Sequence, residues 1–370
     1  MMMGHILTGG GETNLEVSFV WNTERAGLNM GDKISPKEGT KMGKKMLQMC
    51  VVTILVTIFL ISGISFAADK ITVKVAVNAG EEDPMGISAI YFQKRIAELT
   101  DNRVEAKLFM RGVLGSEEAA LENTIAGNID FDIVSNTVMT TLVPTLSILD
   151  LPYGLSSLEH AWRVLDGPLG QYMNEEARDK GIRVLGWAFA GSRCFIFKSK
   201  PIKTLADLKG LKVRVPSNPV YSETIKAWGA NPTTIPWNEV YLALSQGVAD
   251  GTETAPGPSF DKKHFEVAKY LIRTNHLFYF HLWVASEKNW NKFPKEIQMA
   301  MSVAGHEAAM VQRDARIKQE INVYDDFKKK GMTIVDPEKA QFIEMSRSVY
   351  DKFKEKATPV QIKLIKIYEK

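Results

Sequence analysis

Twice along the chain, short β-branched runs alternate with helical runs, and this alternation constrains the fold more than any other feature. In the first stretch, residues 71–77 alternate as a strand and 86–99 carry helical spacing. Residues 103–109 read as a strand, 116–126 as a helix with acidic residues in its first turn, and 131–135 as a short apolar strand. A β-α-β-α-β order predicts a parallel sheet with helices on both faces, because parallel neighbours need a crossover long enough to hold a helix. Residues 159–165 and 171–180 read as helices, 182–187 and 194–198 as strands. The second stretch has strands at 212–215, 233–235 and 249–253, with helices at 220–228 and 238–246. Two such units predict two lobes. The long extended run 278–286 is a candidate to pass between them.

The C-terminal part is helical. Ile297, Met301, Ala304, Ala308, Val311 and Ala315 recur four and three apart, and the stripe then shifts to Ile317, Ile321 and Tyr324. Pro294 suits a helix start and Gly331 a stop. The span is about 55 Å at helical rise, longer than one small lobe. A coiled coil needs an unbroken seam. The register shift and the alanines on the stripe predict instead a spine packed along a globular body.

The N-terminal region reads as an address. Lys41, Lys44 and Lys45 precede an apolar run from Met46 to about Ile64, followed by Ser65-Phe66-Ala67-Ala68. Basic residues, an apolar stretch and small residues before the break are the marks of a secretory signal peptide over 41–67, cleaved after Ala67. Residues 1–40 are then expected to be an extension ahead of the true start, at Met42 or Met46. Gly9-Gly10-Gly11 is not a phosphate loop, because no strand precedes it. Cys50 leaves with the signal, and the chain keeps Cys194, a buried structural thiol by default.

Catalytic signatures are absent from the sequence: there is no Gly-x-Ser-x-Gly elbow, no His-Glu-x-x-His and no Walker sequence. His276 and His281 have poor metal spacing, and no cofactor or metal is expected. A net charge of +3 speaks against a nucleic-acid surface. Binding signals are better. In Lys212-Val213-Arg214-Val215-Pro216, the valines share one face and Arg214 takes the other, near the strand's C-terminal end. Ligands of α/β sheets collect there, and arginine grips a carboxylate bidentately. Arg193 opens another strand after a Gly-Ser turn. Glu253 is a candidate carboxylate to fix Arg214, Thr254 a hydrogen-bond donor, and Trp237 a pocket wall at a strand-to-helix turn.

From about Ile71 to the C-terminus the chain resembles the DctP-type substrate-binding proteins of tripartite ATP-independent periplasmic (TRAP) transporters. The marks are Leu114-Gly115-Ser116-Glu117, Leu151-Pro152-Tyr153, Lys209 to Pro216, Gly229-Ala230-Asn231-Pro232-Thr233, Glu239 to Leu244, and Gly247-Val248-Ala249-Asp250-Gly251. The resemblance implies a two-lobed, periplasmic-binding-protein-like α/β fold with parallel-rich sheets flanked by helices and a long C-terminal spine helix across both lobes. It implies lobe I over 68–190 with about 279–318, and lobe II over 191–278 with about 319–370. Arg214 falls on the family's main carboxylate-binding arginine, Arg193 where many members have a second, and Glu253 on the neighbouring acid. Ser135 and Asn136 fall on positions that help set specificity, without the acidic residue of sialic-acid binders. Thr254 stands where asparagine is common, and Trp237 where phenylalanine is frequent.

These features together predict a periplasmic receptor rather than an enzyme. A small organic acid would meet Arg214 and Arg193 in an inter-lobe cleft. Trp237, Thr254, Asn136 and Asn218 would read the remainder, and TRAP permease subunits would receive the closed form. A secreted enzyme acting on an organic acid, or a sensor subunit using the same fold, are the alternatives.

Overall fold

The computed structural model describes residues 70–368, together with positions 43, 46 and 49. The expected extension, the signal segment apart from those three positions, and Cys50 therefore lie outside the described residues. The chain divides into a unit over Met1–Phe66 and one over Ala67–Lys370, and the second unit carries both β-sheets.

The first lobe is built on β1 (Ile71–Ala76), β2 (Val104–Phe109), β3 (Phe131–Ser135), β4 (Ile182–Ser192) and β10 (Phe278–Ser286), in the order β2-β1-β3-β10-β4. The second holds β5 (Cys194–Phe197), β6 (Lys212–Val215), β7 (Asn231–Thr234), β8 (Gly251–Thr254), β9 (Tyr270–Ile272) and β11 (Thr333–Val335), in the order β11-β9-β5-β8-β6-β7. Both sheets are mixed, with parallel pairings in the majority over the two together, as parallel-rich sheets require. The β-α-β runs do pair in parallel: β1 with β2 and β3, β6 with β7 and β8. The antiparallel members are β10, paired with β3 and β4, and β5, paired with β8 and β9. These strands adjoin the passages between lobes, so they enter each sheet from the opposite end. Strand β4 also runs on to Ser192, leaving Arg193 as the single residue between β4 and β5.

The helices that bear on the site are α1 (Pro84–Leu99), α2 (Glu117–Ala126) and α3 (Asn136–Met139) in the first lobe. In the second lobe, α4 (Pro219–Ala227), α5 (Val240–Gln246) and α6 (Pro256–Asp261) do so, and α7 (Lys295–Lys329) is the spine. Side chains separate cleanly by strand period. Phe195 and Phe197 pack with Val213, Val215 and Trp228 on one face of the second sheet, while Cys194 and Ile196 pack with Leu271 and Phe327 on the other.

The spine runs 35 residues, about 52 Å at helical rise. Its first half follows the expected stripe, with Ile297, Met301, Ala304 and Ala308 buried against Phe92, Ile133 and Trp283. It lies close on β4, where an added Cβ on Gly305 would come within 2.5 Å of the Leu185 side chain. The second half departs from the sequence reading. Ile321 is 73% exposed, and Gln312, Arg313 and Arg316 are buried alongside the apolar Val323 and Phe327. Apolar periodicity does not register the two arginines, because their charges are neutralised by partners remote in sequence: Asp166 for Arg313, and Asp83 and Asp261 for Arg316.

Candidate binding cleft

A cavity of about 190 Å³ draws its walls from both lobes. Asn78, Glu117 and Ser135 come from the first lobe, Arg214, Trp237 and Thr254 from the second. Arg193, between β4 and β5, and Tyr279, near the start of β10, complete this part of the lining.

Arg214 is 3% exposed. The strand period sends Val213 and Val215 into the second lobe's core and Arg214 to the opposite face. Its Nε donates to the Ile235 carbonyl at 2.8 Å, its only hydrogen bond to protein among the described residues. The guanidinium stands 5.6 Å from the Trp237 ring centre. Burial, and then the charge of Arg193, push its pKa down to about 10. This is a cation held out of water without a carboxylate partner.

Arg193 differs. Its Nε and Nη2 donate to the two carboxylate oxygens of Glu253, and the guanidinium lies between Tyr221 and Tyr279, 4.9 and 4.5 Å from their ring centres. Burial opposes that charge, but Glu253 outweighs it and holds the pKa above the ordinary arginine value. Glu253 also lies 3.2 Å from His276 Nε2, whose Nδ1 is 2.9 Å from Thr274 Oγ1. Burial keeps His276 below the usual histidine range. The expectation that Glu253 fixes Arg214 is therefore corrected. In the parallel register Arg214 lies opposite Thr252, so Glu253 emerges on the other face of β8, beside Phe195.

Thr254, Ser135 and Trp237 all line the cavity. Asn136 and Asn218 do not, which corrects their expected place. Asn136 Nδ2 donates to Asp150 Oδ1 at 2.7 Å, and Asn218 Nδ2 donates to Asp150 Oδ2 at 2.8 Å. Asn218 also caps α4 through Val220 N–H. One asparagine from each lobe thus holds a single fully buried carboxylate. Burial pushes that carboxyl up to about 7, against the hydrogen bonds of Asn218, Asn136 and Thr140.

Sequence reasoning missed Glu117. It opens α2, where its acidity reads as ordinary helix-end charge. In the structure it lines the cavity and accepts from Ser135 N–H, and burial pushes its carboxyl up to about 7. Asn78 was missed as well; it is buried, lines the cavity, and its Oδ1 has no hydrogen-bond partner. Among the described residues no group of three or more His, Cys, Asp or Glu side chains is placed to hold a metal ion. A larger cavity, about 470 Å³, lies between α4, the segment 140–147 and the C-terminal helix Lys339–Lys356. The charged pair on its wall, Glu223 and Lys352, is closed on itself at 2.7 Å. Among the described residues of its wall, it therefore offers an anion no free cation.

The family model for bacterial extracellular solute-binding proteins, family 7, matches residues 75–356. The chain belongs to this family, DctP. Among DctP relatives, the 2,3-diketo-L-gulonate-binding periplasmic protein YiaO of Escherichia coli is 29% identical over 271 residues, covering 73% of this chain and 82% of YiaO. A TRAP periplasmic solute-binding protein from Sulfitobacter sp. NAS-14.1, solved with β-D-galacturonate, superposes with TM-score 0.78 at 30% identity, over 80% of this chain and 99% of that one. One from Sulfurospirillum deleyianum, solved with succinate, gives TM-score 0.77 at 30% identity, over 81% and 99%. Both neighbours are solute-binding proteins, and the superpositions show that this chain shares their α/β fold.

Proposed function

We propose that this protein is a periplasmic receptor, not an enzyme, that closes its two lobes on a small organic anion and hands it to a TRAP membrane permease. The observation that carries the reading is Arg214: a buried guanidinium on the cavity wall, with one of its five donors used by the protein and no carboxylate on it. A ligand carboxylate supplies the missing partner, and the bidentate match of carboxylate to guanidinium supplies the specificity. Galacturonate and succinate, bound by the Sulfitobacter and Sulfurospirillum proteins, both carry that group. Arg193, already neutralised by Glu253, adds field and shape rather than a free charge. Trp237, Thr254 and Ser135 wall the ligand, and Glu117 and Asn78 offer it hydrogen bonds. Asn136 and Asn218 act behind the site, tying the lobes through Asp150. Closure excludes water and strengthens the charge-assisted bonds. The lobe limits follow the same reading: 68–190 with about 279–318, and 191–278 with about 319–370. The signal over 41–67 would deliver the chain to the periplasm, and an ion gradient at the permease would drive uptake.

The test is a thermal-shift screen against an organic-acid library, followed by calorimetry on the hits. A ligand that selects the closed form raises the melting temperature by mass action. Binding of mono- or dicarboxylates without turnover supports the receptor. Turnover of a bound acid, or a library in which no anion shifts the melting temperature, rejects it.

A further inference from the structure

We propose that Asp83, Arg316 and Asp261 form a charge clasp that ties the two lobes together, with Asp261 as its releasing member. This rests on reading the cavity as a cleft that opens and closes.

The three residues line the same cavity and come from three separate elements. Asp83 caps α1 in the first lobe, its Oδ1 accepting from Met85 N–H at 2.7 Å. Asp261 ends α6 in the second lobe. Arg316 is fully buried on the spine, C-terminal to the segment that packs on the first sheet. Its Nη2 donates to both Asp83 oxygens at 3.0 Å, and its Nη1 reaches Asp261 Oδ2 at 3.4 Å. Gln319 holds the other side of Asp261 at 3.0 and 3.2 Å. Room for the guanidinium comes from Gly257 on α6, where a Cβ would stand 2.3 Å from Arg316 Nη1. The site is thus shaped to admit one arginine between two carboxylates that belong to opposite lobes.

One guanidinium cannot neutralise two carboxylates. Burial, and then the hydrogen bond and charge of Asp83, push the Asp261 carboxyl up to about 7, while Arg316 and Gln319 pull it down. Opening the cleft separates Asp261 from Asp83 and returns it toward the ordinary value near ~3.9. Closing therefore takes up a proton. The clasp holds at low pH and loosens as pH rises through about 7. The other charged and titratable groups facing it are Glu82, Arg111, Lys262, His281 and Glu320. Burial pushes His281 down to about 3, so it stays neutral over this range. Glu320, and away from the clasp Asp150, which asparagines of both lobes hold, are each pushed up to about 7 by burial and need their own controls.

Spin labels at Val113→Cys and Leu242→Cys report lobe separation without any ligand. Both positions are exposed, at 70% and 55%, one on each lobe, and Cys194 is buried. Between about pH 5.5 and about pH 8.5 the short-distance population should fall several-fold, with an upper limit of about tenfold per pH step below neutrality. Asp261→Asn should keep the short distance at both pH values, because the amide can still donate to Asp83 but cannot ionise. Glu320→Gln and Asp150→Asn should each respond to pH like the native protein. A pH-independent native distribution, an Asp261→Asn protein that follows the native one, or a response lost only in Glu320→Gln or only in Asp150→Asn would each overturn the clasp. The receptor reading is judged separately, by anion binding, which these distances do not require.

Discussion

Replacing Arg214 with methionine separates the two roles of that side chain. Methionine keeps most of the apolar stem, which preserves packing near Trp237, and deletes the charge. In the ligand-free protein the guanidinium is unfavourably placed: a pKa held at about 10 instead of 12.5 corresponds to roughly 3 kcal/mol of cost to the charged form. Deleting the charge recovers that cost. Against it stand the cation–π contact with Trp237, about 0.5–2 kcal/mol, and the Ile235 carbonyl left unpaired, about 1–3 kcal/mol. The opposing contributions are similar, so the stability of the free protein should change by no more than about 1–2 kcal/mol. Binding behaves differently. A ligand carboxylate entering a dry cleft without its counter-charge costs about 3–5 kcal/mol, a weakening of roughly 150- to 5,000-fold in Kd. Denaturant titration of the free protein and calorimetry with a hit from the acid screen measure both quantities on one sample. Unchanged anion affinity would refute the reasoning. So would a stability loss above about 4 kcal/mol, which would make Arg214 a structural residue whose effect on binding is indirect.

Three further outcomes follow from other contacts. Glu253→Gln leaves Arg193 charged and unpaired in the interior, and should cost about 3–5 kcal/mol of stability by denaturant titration; a loss below about 1 kcal/mol would mean that the pair is not desolvated. Gly305→Ala should cost about 1–3 kcal/mol, because the new Cβ meets Leu185 at 2.5 Å between the spine and β4. Burial raises the Cys194 thiol well above its ordinary pKa, so it should resist thiol reagents in the native protein and react fully in denaturant; rapid native modification would place it at the surface.

Much of the architecture can be read along the chain because it is local. Alternation over 71–76 and apolar spacing over 297–308 record burial against a single neighbouring layer, so their periods survive as sequence pattern. The same holds for Arg214, whose exit face follows from the two valines that flank it. Helix-end chemistry concealed Glu117, since an acid in a first turn is common with or without a binding role. The resemblance places Asn136 at the ligand and the sequence reading adds Asn218, yet each turns to Asp150, a residue that no local signal connects to both.

The chain's own pattern established two α/β lobes, a spine helix and an arginine at a strand end. It could not establish which acid serves which arginine. That choice depends on strand register, which sends Glu253 to the face away from Arg214, and on the passage between sheets that brings Arg193 to meet it. Period and propensity act over a few residues, whereas charge pairing in an interior acts between groups that only chain folding brings within reach. The unpaired state of Arg214 is therefore a property of the assembled cleft.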